Sequence, residues 1–304
     1  MNDTPKTDDL HVSVVPCPDY TPETVRKALE AVLAPLGGLD FVTPGMRVVI
    51  KANLVSAMKP EQAATTHPVL LRELTKMLTD RGAEVIVGDS PGGLYTAAFV
   101  NHVYTVSGIR CVEEAGGKLN ADFGQAKADY PEATVAKTFQ YTSYLDGADV
   151  IIDVCKLKAH GMMGMSAAAK NMFGVIPGIM KPEYHYRFPN EIDFSRMIID
   201  LDEYFKPRLS IVDAVVGMEG NGPTQGTPRH MGALIASESS FCADLLCADA
   251  AELLCTGEIA VDVQPRKVLI CQHICRLAAG LIVIVKEKLG AKLLCFQIPR
   301  DRVF

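Results

Sequence analysis

The sequence predicts an α/β fold: a layered, mostly parallel sheet with helices on both faces and room for a small α+β appendage. Three observations carry that prediction. Short apolar runs alternate with longer stretches of helical periodicity, the order expected of βαβ units. Clusters of Gly, Pro, Asn, Asp and Ser fall between them, where strand-to-helix turns belong. Hydrophobic residues make up 48% of the 304 and charged residues 22%, which supplies a large core and argues against global disorder.

The elements follow in order. Alternation over His11–Val15 predicts a first strand. Residues 22–34 predict a helix, with Val25, Leu29, Val32 and Leu33 on one face, Thr21 as cap and Pro22 as first residue. Gly37-Gly38 breaks the chain, and the apolar run Arg47–Lys51 predicts a central strand. A second helix is expected from Thr65–Pro68 to about Asp80, with Leu70, Leu71, Leu74, Met77 and Leu78 apolar. Ala83–Ser90 reads as the next strand, completing a βαβ unit, followed by a helix over 97–115 and a strand over Lys118–Phe123. Ala148–Gly161 opens as a buried strand, and the Ala-rich Ser166–Gly174 favours helix. Phe194–Phe205 predicts an amphipathic helix, Arg208–Gly220 a strand entering a Gly-rich loop, Met231–Ser237 a strand and Phe241–Leu254 a helix. No repeat or low-complexity linker interrupts this alternation, so one domain over 10–304 is expected.

Composition narrows the function classes. The formal net charge of −6, the absence of Trp and an aromatic content of 7% disfavour a nucleic-acid surface. The N-terminus MNDTPKTDDLHVSVV lacks the basic and apolar regions of a signal peptide. The longest apolar run, Leu277–Val285, is far short of the about 20 residues a bilayer span needs, and reads as a buried helix or strand. A cytoplasmic protein without membrane insertion is expected. The nine cysteines, six of them beyond residue 240, are then expected as reduced thiols.

Four segments could carry chemistry. Lys51 and Asn53 emerge at the end of a predicted central strand, where open α/β sheets bind ligands; Lys51 can neutralise an anion and Asn53 can donate and accept. Gly88–Gly93 (GDSPGG) offers Asp89, Ser90 and exposed backbone N–H groups, without the spacing of a dinucleotide or Walker loop. The densest segment, Asp153 to His185, holds Lys156, Lys158, His160, Lys170, Asn171, Lys181 and His185. In an extended chain Lys156, Lys158 and His160 share a face, and such a cluster gathers carboxylate or phosphate. His160 and His185 are proton-transfer candidates, and close lysines can depress one another into a base or nucleophile. Finally, Val212–Gly226 places Asp213 in a strand and Glu219 and Asn221 in the loop beyond it, where a carboxylate could orient a His or Lys or join a cation site. A divalent metal held by His160 and His185 with Asp89 or Asp153 is a further option, although it matches no specific ligand motif. Asp244 is expected to cap or pair within the protein.

KANLV, TTHP, GDSPGG, DVCKLKAHG, AAAKNMFGVIPG, MEGNGP and SSFCADLLCADAAELL occur in one order over roughly residues 10–260, and on these motifs the chain resembles the DUF362 family. The resemblance places Lys51 and Asn53 in a Lys-Pro-Asn-like turn, with Ala52 in the Pro place, and Thr66 in a Thr-rich helix entry. Gly88, Asp89 and Ser90 fall in a Gly-Asp-Ser turn, and Lys156, Lys158 and His160 in a Lys-Leu-Lys-Thr-His-like motif, with Ala159 in the Thr place. Lys170, Asn171, Gly174, Pro177 and Gly178 fall in a Lys-Asn-hydrophobic-Gly turn. Glu219, Gly220, Gly222 and Pro223 fall in a Met-Glu-Gly-x-Gly-Pro loop, and Asp244 at an acidic helix position. These nominate a shared pocket. Family members often carry a 4Fe–4S ferredoxin-like segment, but no compact four-Cys run occurs here: Cys242 and Cys247 are five apart, Cys271 and Cys275 four apart, and Cys295 is distant. No separate ferredoxin domain is therefore expected.

The expected function is an enzyme acting on a small anionic substrate. Lys156, Lys158, Lys170 and His160 are its catalytic candidates, and Lys51, Asn53, Asp89, Ser90, Asn171, Glu219 and Asn221 its binding candidates. An iron–sulfur-associated redox protein and a noncatalytic ligand-binding module are the alternatives. The partner expected is the anionic ligand, with a redox partner or a second copy of the chain left open.

Overall fold

A computed structural model describes residues 9–256 and 294–299 of the chain. Strand β1 (Asp9–Pro16) leads to helix α1 (Pro22–Leu33), β2 (Arg47–Lys51), α2 (Pro68–Thr79) and β3 (Glu84–Gly88). Then come α3 (Ala97–Val106), α4 (Cys111–Glu114), β4 (Lys118–Leu119), β5 (Gln125–Asp129), β6 (Thr138–Thr142), β7 (Val150–His160) and β8 (Gly164–Ser166). Helices α5 (Ala168–Asn171), α6 (Lys181–Arg187) and α7 (Glu191–Phe205) precede β9 (Leu209–Glu219), β10 (Thr227–Ser237), α8 (Ser240–Thr256) and β11 (Leu294–Pro299).

Nine strands form one mixed sheet in the order β11-β1-β10-β9-β7-β2-β3-β4, with β8 paired to β7. The five strands from β9 to β4 run parallel, whereas β10, β1 and β11 continue the sheet antiparallel. The predicted α/β class is therefore observed, and β5–β6 forms a separate two-stranded antiparallel sheet.

Strand alternation sends side chains to two cores. Val48, Ile50, Val85, Val87, Ile152, Val154 and Ile211 pack with the apolar stripes of α1 and α2. Val49 and Ile151 point the other way and pack with Phe194, Met197 and Leu201 of α7, while Cys155 and Val212 pack with Cys242 and Ala243 of α8. Helices thus cover both faces. Among the described residues no helix is long and apolar enough to cross a membrane.

Local chemistry shifts several predicted boundaries. The second helix starts at Pro68, the last residue of the expected Thr65–Pro68 entry, because Pro68 suits the first helical turn and the Val69 N–H donates to His67 Nδ1 at 3.3 Å. The helix expected over 97–115 divides into α3 and α4, with Gly108 between them at φ +74°. The strand expected over Lys118–Phe123 stops at Leu119; Asn120 turns inward and its amide donates to Tyr95 Oη and Asp122 O. Ser166 ends β8 instead of opening a helix, and α5 passes into a 3-10 turn over Met172–Val175. The Leu277–Val285 run lies outside the described residues.

Candidate active site

Strands β2 and β7 are neighbours, but the chain leaves them in opposite directions. It crosses from β2 through α2, on one face, to β3; from β7 it crosses through α5 and α7, on the other face, to β9. Such a switch opens a crevice beyond the C-terminal strand ends. A cavity of about 170 Å³ lies there, lined by Asn53 beyond β2, Lys158 and His160 of β7, and Asp89 and Ser90 beyond β3.

Its floor is a buried polar chain. The Lys158 ammonium donates to Asn53 Oδ1 at 2.8 Å and Ala64 O at 2.6 Å. Asn53 Nδ2 donates to Asn171 Oδ1 at 2.7 Å, and Asn171 Nδ2 to Asp153 Oδ1 at 2.6 Å. Thr66 fixes the loop after β2: it receives the Asn53 N–H at 3.0 Å and donates to Val154 O at 2.8 Å. Beside this chain Lys51 pairs with Asp89 at 2.7 Å, both side chains buried, and the Leu54 N–H donates to the other Asp89 oxygen at 2.7 Å. Gly174 closes over the pair so tightly that a Cβ there would collide with Asp89 Oδ1 and Lys51 Nζ.

Lys170, Lys181 and His185 form the opposite wall. Lys181 donates to Ser90 O, and Lys170 lies over the Phe173 ring with Nζ 4.7 Å from its centroid. His185 stacks on Phe194 at 4.6 Å. Burial, followed by the Lys170 charge, lowers the Lys158 pKa to about 7. Burial and then Lys181 lower Lys170 to about 7, and burial lowers Lys181 to about 8, against the opposing pull of Asp89. His185 is shifted down by burial and by Lys170. Asp153 moves the other way: burial raises its carboxyl well above the usual range and outweighs Lys51. Asp89 is thus the carboxylate that faces four lysines. His160 Nδ1 accepts the Met162 and Met163 N–H groups at 3.3 and 3.2 Å, which assigns the proton of the neutral ring to Nε2.

The crevice brings together Asn53, Asp89, Ser90, Lys158, His160, Lys170 and Asn171 of the expected set, with Lys51 directly behind Asp89. Three expected residues lie elsewhere. Lys156 is opposite Asp213 in the β7–β9 register and pairs with it at 2.7 Å, both buried. Tyr20 completes that group, donating to Asp213 Oδ1 at 2.7 Å and accepting from Lys156 at 3.0 Å. A register shift between Lys156 and Lys158 separates these two lysines, so the shared face expected from strand periodicity does not make one cluster. Glu219 pairs with Arg229 at 2.7 Å, and Asn221 is exposed with its amide on Gln225 Oε1 at 3.3 Å. Their loop reaches the cavity through Pro223, and the Gly161 N–H donates to Gly222 O at 3.3 Å.

Lys181, which the sequence offered only as a member of the dense segment, and His185, a proton-transfer candidate outside the expected catalytic set, both line the cavity. Their spacing of four residues on α6 was the available signal, since it sets them on one helix face. Asp244 caps α5 from α8, its oxygens receiving the Ala168 and Ala169 N–H groups at 2.6 and 3.1 Å. Among the described residues no group of three or more His, Cys, Asp or Glu could hold a metal ion, so His160, His185, Asp89 and Asp153 do not assemble into the metal site considered from sequence. Cys17, Cys111, Cys155, Cys242 and Cys247 are free thiols that form no cluster ligand set, so these residues do not fit a 4Fe–4S group.

The family model described as a domain of unknown function, DUF362, matches residues 48–249, which contain every element of the crevice. The chain belongs to the DUF362 family. This DUF362 protein is similar to a thylakoid-associated protein of Synechocystis sp., with 31% identity over 249 residues, 80% of this chain and 74% of that protein. Two solved structures are more distantly similar to it. A Thermotoga maritima protein matches at 16% identity and TM-score 0.46, covering 77% of this chain and 58% of that one. A lactate racemase apoprotein from Thermoanaerobacterium thermosaccharolyticum matches at 14% identity and TM-score 0.48, covering 79% and 57%. The DUF362 chain therefore spans less than three fifths of either solved structure.

Proposed function

We propose that this DUF362 protein is an enzyme that binds a small anion in the β2–β7 crevice and acts on it with lysine and histidine side chains. One observation carries the reading: Lys51, Lys158, Lys170 and Lys181 gather around Asp89, while the second acid, Asp153, is held toward its neutral form. A carboxylate or phosphate would supply the missing negative charge. It would also return the lysines to their ammonium form, so binding takes up protons near neutral pH. Once protonated, Lys158 and Lys181 bind and orient; a lysine left neutral serves as base or nucleophile, with His160 or His185 carrying the proton.

Calorimetry with phosphate and acetate in buffers of different ionisation enthalpy tests the binding half of this reading. Saturable binding with proton uptake near pH 7.5, weakening as pH rises, is expected. Failure of every carboxylate and phosphate to bind refutes it. Turnover is tested separately by incubating the full chain with a panel of small carboxylates and following them by proton NMR in D₂O. Exchange or conversion should be abolished in Lys158→Met.

A further inference from the structure

Lys170 differs from the other crevice lysines. Lys51 is paired with Asp89, Lys158 is held by Asn53 Oδ1 and Ala64 O, and Lys181 by Ser90 O. Lys170 projects from α5 beside two aromatic rings, its Nζ 4.7 Å from the Phe173 centroid and 5.7 Å from that of Phe194. Among the described residues no carboxylate or hydrogen-bond acceptor holds its ammonium group, although other ammonium groups stand nearby. The rings attract the ammonium form, but burial, cationic neighbours and the lack of an acceptor outweigh them and favour the neutral amine, in which the nitrogen lone pair is available.

A second observation points to the ligand. Ser90 is 1% exposed, lines the same cavity, and its hydroxyl has no hydrogen-bond partner among the described residues. A buried hydroxyl left unpaired costs stability, so a hydroxyl that lines a cavity is matched by whatever enters it. Its backbone carbonyl already holds Lys181, so one end of the cavity pairs a hydroxyl with an ammonium, a donor set for a carboxylate.

We propose that Lys170 is a nucleophile that forms an imine with a small oxo acid, an anion bearing an aldehyde or ketone beside its carboxylate, and that Ser90 and Lys181 hold the carboxylate. This rests on the anion-binding reading of the crevice. The Lys170 lone pair forms the N–C bond to the carbonyl carbon. The carbonyl oxygen leaves as water with the two amine protons, and C=N replaces C=O; nothing is oxidised or reduced. His185, stacked on Phe194 in the same aromatic corner, carries protons during this loss of water. The protonated imine then withdraws electrons from the bond beside it more strongly than the neutral carbonyl did.

The full chain is incubated with pyruvate or glyoxylate, reduced with sodium borohydride, and examined by intact mass and peptide mapping, with binding of the same acids followed by calorimetry. The expected product is one adduct per chain, a gain of one oxo acid less one oxygen atom, mapped to Lys170. It should be lost in Lys170→Arg, which keeps the charge but cannot form this imine, and reduced at least tenfold in Ser90→Ala. Mapping in the wild type stands even where a variant fails to fold. Binding of the oxo acid without an adduct at Lys170, or with the adduct at Lys158 or spread over surface lysines, overturns this inference and leaves the anion-binding reading intact. No binding of any oxo acid, acetate or phosphate overturns both.

Discussion

The Asn53 amide donates to Asn171 Oδ1 at 2.7 Å, and that bond joins the loop beyond β2 to helix α5, 118 residues later. It is the central link of the chain Lys158–Asn53–Asn171–Asp153, in which each buried polar group supports the next. The two amides link Lys158 to Asp153, the acid whose pKa burial raises.

Asn171→Ala removes the partner of both Asn53 and Asp153. The buried groups left behind cost about 1–3 kcal/mol each, so a destabilisation of at least about 2 kcal/mol is expected in urea unfolding. A loss below about 0.5 kcal/mol would show that the chain does not organise the crevice.

Lys51 and Asp89 are both buried, and neither tolerates losing the other. Lys51→Met is expected to cost about 3–5 kcal/mol because it strands a buried carboxylate. The double variant Lys51→Met, Asp89→Leu should cost less than the sum of the two single changes. Additive losses in that double-mutant cycle would contradict the pairing.

Stability should rise with pH across the range in which the crevice lysines lose their protons. Lys158 and Lys170 sit at about 7 and Lys181 at about 8, all below the ordinary 10.5. The folded chain therefore binds fewer protons than the unfolded chain, and the cost of holding the lysines charged fades as pH climbs from about 7 toward 10.5. The gain is at most about 1.4 kcal/mol per pH unit for each lysine. Burial raises Cys17 to about 11 from 9.0, so above about pH 9 that thiol pulls the other way. Asp153, raised by burial, also pulls the other way wherever it stays protonated in the folded chain, one acid of the crevice against three lysines. Urea melts between pH 7 and 9 should show a positive slope that is shallower in Lys170→Met. An identical slope in that variant rules out titration of Lys170 in this window.

Glu219→Ala should leave anion affinity within about twofold and stability within about 1 kcal/mol, since its pair with Arg229 is partly solvated. Calorimetry that finds a tenfold loss of affinity would return Glu219 to the site.

Much of this arrangement was legible before the tertiary structure. GDSPGG and the lysine-rich run from β7 to α6 were visible as turn chemistry and charge density, and both line the crevice. The failure at Lys156 is informative. Period-two alternation gives its parity, but the register shift before Lys158 comes from pairing with β9. Glu219 was misplaced for a related reason: its loop reaches the cavity, but its own carboxylate turns to Arg229 on β10.

By itself, the sequence determined the α/β alternation, the position of most strands and helices, and the concentration of amines between residues 156 and 181, because periodicity and turn chemistry are local. Only the tertiary structure decided which acid each lysine meets. Lys51 and Asp153 point to the face covered by α5 and α7, whereas Lys156 and Asp213 point to the face covered by α1 and α2. Those partnerships depend on β7 lying between β2 and β9. Strand order is set by the joint packing of helices on both faces, and no single segment carries it.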